Sequence, residues 1–181
     1  MDNSLTYYMV ASVIEAFILW LYCNKLFKQR LNTPLSILIA IIMHLLSAPV
    51  YMLHFPILNI ISFILITYIV TIIISDISFF SAIFHSLMLT VVMGLSELLV
   101  VGFVPNLYIL FFRESGTINN TALYVFISKT IYLFISQAVS TILKKRKGSY
   151  PYSDRSTLFL SIIPATSIII MLCLCFICIS I

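Results

Sequence analysis

Charge is what this sequence has least of. Only 9% of its 181 residues are Asp, Glu, Lys or Arg, against about 25% in a soluble domain. That deficit is too wide to be read as a rich core in a water-soluble fold. Glycine is also scarce: Gly94, Gly102, Gly116 and Gly148 are scattered singly. No Walker loop or G-x-G-x-x-G phosphate cradle can be built from them. G-x-S-x-G and H-E-x-x-H are absent too, and no polar stretch is long enough to fold as a catalytic domain. The chain therefore carries no catalytic motif, which makes catalysis by this chain alone unexpected, and no cofactor is expected.

The four cysteines, Cys23, Cys173, Cys175 and Cys178, all lie in apolar segments, so no secreted disulfide framework is expected. Cys173, Cys175 and Cys178 form C-x-C-x-x-C. On a helix the first two point to nearly opposite faces at 100° per residue, so no metal site is expected. The alternation of polar and apolar residues that marks a membrane barrel is missing. The N-terminus also lacks the marks of a cleaved leader. Asp2 stands where a basic region belongs, Glu15 interrupts the apolar stretch, and no small-residue cleavage site follows.

What is present is hydrocarbon. Hydrophobic residues make up 62% of the chain and its mean hydropathy is +1.16. Apolar runs recur from end to end, and runs of roughly 18 or more residues mark membrane spans. In lipid the backbone must satisfy its own polar groups, so such runs are helices. Six spans are expected: about Leu5–Cys23, Leu35–Leu53, Ile57–Ile74, a span within Phe79–Phe112, Thr121–Leu143, and Thr157 to Ile181. Thr33 is placed as N-cap with Pro34 at N1 of the second span, and Pro49 should kink that span. Gly102 and Pro105 are expected to divide the fourth stretch into a span and a short second piece. The expected fold is all-α: one polytopic transmembrane bundle over residues 1–181, multi-pass in the cell membrane, with the lipid bilayer as its first partner.

The net charge of +4 does not point to nucleic acid, because the basic residues sit in short clusters between spans. They set orientation instead. Lys25, Lys28 and Arg30 occupy one turn; Lys144 to Lys147 and Arg155 occupy another. Both belong in the cytoplasm, and an odd-numbered span precedes each, so the two assignments agree. The N-terminus, His54 and the Arg113 loop are then outside.

Ionisable groups inside spans are costly and usually face the bundle interior. They are Glu15, His44, His85, Glu97 and Lys129. Counting about 1.5 Å per residue, Glu97 and Lys129 share a depth in the outer half of the bilayer and are predicted to pair. The pair reads either as a structural tie between two helices or as the polar floor of an outward-facing ligand pocket. Glu15 and His44 both fall near mid-membrane, where a buried hydrogen bond between them would lock two helices. His85 lies nearer the cytoplasm and reads as a packing or interfacial histidine. Tyr7, Tyr8, Tyr51, Phe55, Tyr108, Phe111, Phe112 and Tyr124 gather near the outer ends of spans, as an aromatic belt does. Some of them could also contact a hydrophobic ligand.

The order of these marks resembles a known family. An outside N-terminus leads to a mid-membrane Glu15 and the basic loop Lys-Leu-Phe-Lys-Gln-Arg. A stretch from Asp76-Ile-Ser-Phe-Phe-Ser to Met93-Gly94-Leu95-Ser96-Glu97 follows, and Leu-Phe-Leu-Ser-Ile-Ile-Pro164-Ala-Thr-Ser comes after the lysine-rich turn. Together they resemble the membrane sensor portion of accessory-gene-regulator-type histidine kinases of the GHKL class, the peptide-pheromone receptors of Gram-positive bacteria. The resemblance implies a receptor for an extracellular peptide in a two-component quorum-sensing system, acting as a homodimer. Glu97, Lys129, Tyr108 and Tyr124 would lie at its ligand site. Those kinases continue into a dimerisation helix and an ATP-binding domain that this sequence does not contain, so either a fragment or a naturally shortened receptor is expected. Two other readings stand beside it. One is a small-solute-binding subunit of an energy-coupling transporter. The other is a pheromone-processing membrane peptidase using Cys23 with His85, although the signature spacing is absent.

Overall fold

A computed structural model describes residues 3–51, 53, 55–112, 121–147, 157 and 159–180. Among these residues the elements are helices: α1 (Asn3–Leu26), α2 (Thr33–Leu45), α3 (Ala48–Tyr51), α4 (Pro56–Ile74), α5 (Phe79–Phe112), α6 (Thr121–Lys147) and α7 (Ile162–Ser180). Five helical stretches are long and apolar enough to cross a membrane: Thr6–Leu26, Thr33–Val50, Ile57–Ile74, Phe79–Val100 and Leu123–Lys145. α7 carries 19 residues and no charged side chain, a length of about 28 Å, close to the roughly 30 Å hydrocarbon core. The chain is a multi-pass, all-α membrane protein.

Two local expectations need correction. Asn32, not Thr33, is the N-cap of α2, and its side chain makes no capping bond. Pro34 still lies in the first turn, where its missing N–H removes nothing a helix needs. The second correction concerns α5, which is one continuous helix of 34 residues through Gly102 and Pro105. At about 51 Å it is longer than the hydrocarbon core is thick. Glycine and proline weaken helices in water, where a freed backbone group finds a solvent partner. In lipid it finds none, so the helix persists. Pro49 acts as expected. Its ring crowds the carbonyl four residues back, and the helix breaks just before it. Leu46 N still donates to Ile42 O, but Ser47 N switches to His44 O at 3.0 Å, and α3 starts at Ala48.

α1, α2, α4, α5 and α6 pack in a ring in which each touches the next, and α6 closes back onto α1; α7 lies against α5. α4 shows how the ring meets its surroundings. Ile57, Leu58, Ile61, Leu65, Ile69 and Ile73 are exposed, whereas Thr67 and Thr71 are buried with Phe63, Val70 and Ile74. Aliphatic side chains at helical spacing line the outside and hydroxyls line the inside, the reverse of a helix in water. Several buried hydroxyls bond back to their own helices, as Thr71 does to Thr67 O at 2.7 Å and Ser96 to Met93 O at 2.6 Å, which satisfies them without a partner helix; Ser12 Oγ and Thr67 Oγ1 have no partner among the described residues. Small residues Ala16, Ala40 and Ala82 are fully buried, which lets backbones approach closely.

At the end bearing the basic turns, the α1–α2 and α4–α5 connections join. Gln29 and Ser75 form an isolated antiparallel bridge. Arg30 N donates to Ile74 O at 2.9 Å and Asp76 N to Lys28 O at 2.8 Å, and Arg30 pairs with Asp76 at 3.3 Å. These two connections therefore lie on one side of the bundle, as the orientation derived from lysine and arginine requires.

Candidate functional site

The site grows from three helices whose ends face outward under that orientation. Glu15 sits on the buried face of α1, one turn from Ser12, Ile18 and Leu19 and two turns from Tyr22. Lys129 occupies the inward face of α6 with Ser128 and Tyr132. Glu97 follows Ser96 on α5, where the buried face gives way to the exposed one. Lys129 Nζ donates to Glu97 Oε1 at 2.9 Å. It also reaches Glu15 Oε1 at 2.7 Å. One ammonium thus holds two carboxylates and ties α1, α5 and α6 together.

The two halves of this triad differ in environment. The side chains of Glu15 and Lys129 are 3% and 6% exposed, and that of Glu97 is 49% exposed. Neither buried charge could be tolerated alone in such surroundings. Together they neutralise each other, and the short contact supplies a charge-assisted hydrogen bond. Glu97 lies at the edge of the buried face of α5.

Around the triad lies a set of aromatic and polar side chains. His44 is buried on α2; its Nδ1–H donates to Ala40 O at 3.0 Å, which fixes the proton on that nitrogen, and its Nε2 has no partner among the described residues. The hydrogen bond expected between Glu15 and His44 is therefore not formed. Glu15 takes Lys129 as its partner instead. Phe63 stacks edge-on between His44 and Tyr132, at 6.0 and 6.5 Å between ring centroids. Tyr132 is fully buried, and its hydroxyl has no partner among the described residues.

The remaining sequence candidates fall out as follows. Tyr124 is half-buried on α6, toward the outer end from Lys129. Tyr108 lies on the outer extension of α5, its side chain outside the description, as is His54. His85 joins a separate cluster toward the basic end. Its Nδ1 is hydrogen-bonded to Tyr22 Oη at 2.8 Å, and the rings of Phe27 and Phe84 stand edge-on at 4.9 and 5.1 Å. This is the packing role expected of it. Cys23 is buried with its Sγ 3.7 Å from Thr71 Oγ1, and Cys173 is exposed on α7. Among the described residues no group of His, Cys, Asp and Glu is arranged to hold a metal ion.

Searches against protein-family models, curated proteins and solved structures find no match to this chain.

Sequence reasoning found the Glu97–Lys129 pair and missed two others. The Tyr22–His85 bond was within reach of the same depth count. Tyr22 lies about 6 Å above the inner end of α1 at Leu26, and His85 about 9 Å above the inner start of α5 at Phe79. The Glu15–Lys129 pair was less accessible, because the sequence does not say that α1 and α6 are neighbours.

Proposed function

We propose that this chain is the membrane sensor module of a two-component signalling histidine kinase in the cell membrane, acting as a homodimer and responding to an extracellular peptide. The single observation that carries the reading is the triad. A ligand can shift a conformational equilibrium only by binding one state better than another. A lysine shared between a buried carboxylate on α1 and a half-exposed one on α5 gives an outside ligand a direct hold on the packing of three helices. The order of polar marks shared with peptide-pheromone receptors supports the same reading. In it, a peptide contacts Glu97 and the outer aromatics, Tyr124 and Tyr108 among them. The Glu97–Lys129 contact changes, and the shift in α5 and α6 against α1 passes to the cytoplasmic side.

The test uses the full chain in lipid nanodiscs. A library of short apolar peptides, linear and cyclic, is screened for saturable thermal stabilisation, which any ligand specific to the folded state produces. The reading predicts peptide ligands whose stabilisation weakens in Glu97→Gln and Tyr124→Ala. Saturable stabilisation by a water-soluble vitamin and by no peptide would overturn it in favour of a transport subunit.

A further inference from the structure

The triad is not electrically balanced. Glu15 and Lys129, both buried and 2.7 Å apart, form a neutral pair. Glu97 adds a second carboxylate, and it does so where half its side chain is exposed. Both of Lys129's contacts use a single oxygen, Oε1 of each glutamate. Lys129 meets Glu97 through Oε1, and a carboxylate can accept several hydrogen bonds. The sequence adds to this bias. With the basic turns inside and Glu15 neutralised by Lys129, the remaining charges on the outer side are Asp2, Glu97 and Glu114 against Arg113, an acidic balance that favours cationic visitors.

From this charge placement we infer that Glu97 is a head-group subsite for a primary ammonium carried on an apolar body, with the free amino terminus of a linear peptide as the ammonium. The inference rests on the peptide-receptor reading above. A buried group supplies the response. Tyr132 is three residues from Lys129 on α6, so the two side chains are neighbours on one helix face. Its hydroxyl is fully buried and unpartnered, a condition that native structures rarely leave unanswered. When a ligand ammonium takes over Glu97, Lys129 keeps Glu15 and its freed N–H turns to the Tyr132 hydroxyl. α5 is then released from α6 while α1 remains tied to it.

The experiment uses the full chain in nanodiscs of phosphatidylglycerol and phosphatidylcholine, so that no lipid supplies a primary ammonium. The probes are short linear apolar peptides without Lys or Arg, each made with a free and with an acetylated amino terminus, and equilibrium binding is measured for both forms. A charge-assisted hydrogen bond at a half-exposed carboxylate predicts binding about tenfold or more tighter for the free amine. Glu97→Gln should abolish that preference, and Asp76→Asn, at the other end of the bundle, should leave it intact. Equal binding of the two forms, or a preference that survives Glu97→Gln, overturns the head-group assignment and leaves the receptor reading standing. Absence of binding by any peptide, cyclic ones included, overturns both.

Discussion

Replacing Lys129 with methionine isolates the energetics of the triad. Methionine keeps much of the lysine stem's volume but removes the ammonium, stranding Glu15 at 3% exposure beside a fully buried Tyr132. Removing one partner of a buried pair typically costs about 3–5 kcal/mol. The loss has a ceiling, because a stranded carboxylate can take up a proton instead; for a carboxylic acid of ordinary acidity that costs about 4 kcal/mol at pH 7. Lys129→Met should therefore destabilise the bundle by about 3–4 kcal/mol at neutral pH. Glu97 is half exposed where Glu15 is buried, so Glu97→Gln, which leaves Lys129 paired to Glu15, should cost less than Lys129→Met. In the double variant Glu15→Gln, Lys129→Met no charge is left buried, so it should recover a large part of the single-variant loss. Reversible unfolding in lipid–detergent micelles, run as two double-mutant cycles, measures both couplings. The reasoning is refuted if Glu15 and Lys129 contribute additively, or if the Glu97–Lys129 coupling exceeds the Glu15–Lys129 coupling.

Two further outcomes follow from the packing. Tyr22→Phe removes the 2.8 Å bond to His85 and leaves a buried ring nitrogen without it, so the same unfolding assay should show a loss of about 1–3 kcal/mol. Ala40→Leu places a larger side chain at a fully buried small residue of α2, where helices meet closely. Overpacking should cost about 1–3 kcal/mol, whereas Ile42→Leu, on the exposed face of the same helix, should be close to neutral.

Much of this bundle could be read directly from the chain because hydrocarbon is a demanding solvent. Apolar runs of sufficient length have one backbone solution, and the α4 start at Pro56 and end at Ile74 fall within a residue of the expected span. Depth is legible for the same reason. Counting residues from span ends brings Glu97 and Lys129 to one level, where the structure pairs them. What residue counting cannot supply is azimuth and neighbourhood. Glu15 was matched to His44 on depth, but Lys129 reaches it from α6 because α6 closes the ring onto α1, and a lysine stem spans several ångströms of depth. The division expected at Gly102 and Pro105 failed for another reason. It applied the helix-breaking rules of water to a segment whose alternative to a helix is an unsatisfied backbone in lipid.

The sidedness of the bundle underlies every functional statement made of the triad, and cysteine accessibility in intact cells tests it most directly. In a background with the four native cysteines replaced, Thr6→Cys at the start of α1 and Lys145→Cys near the end of α6 are exposed positions at opposite ends of the bundle. A membrane-impermeant maleimide should label Thr6→Cys in intact cells and Lys145→Cys only after permeabilisation. Labelling of Lys145→Cys from outside, with Thr6→Cys protected, would invert the bundle, turn Glu97 toward the cytoplasm and contradict the account.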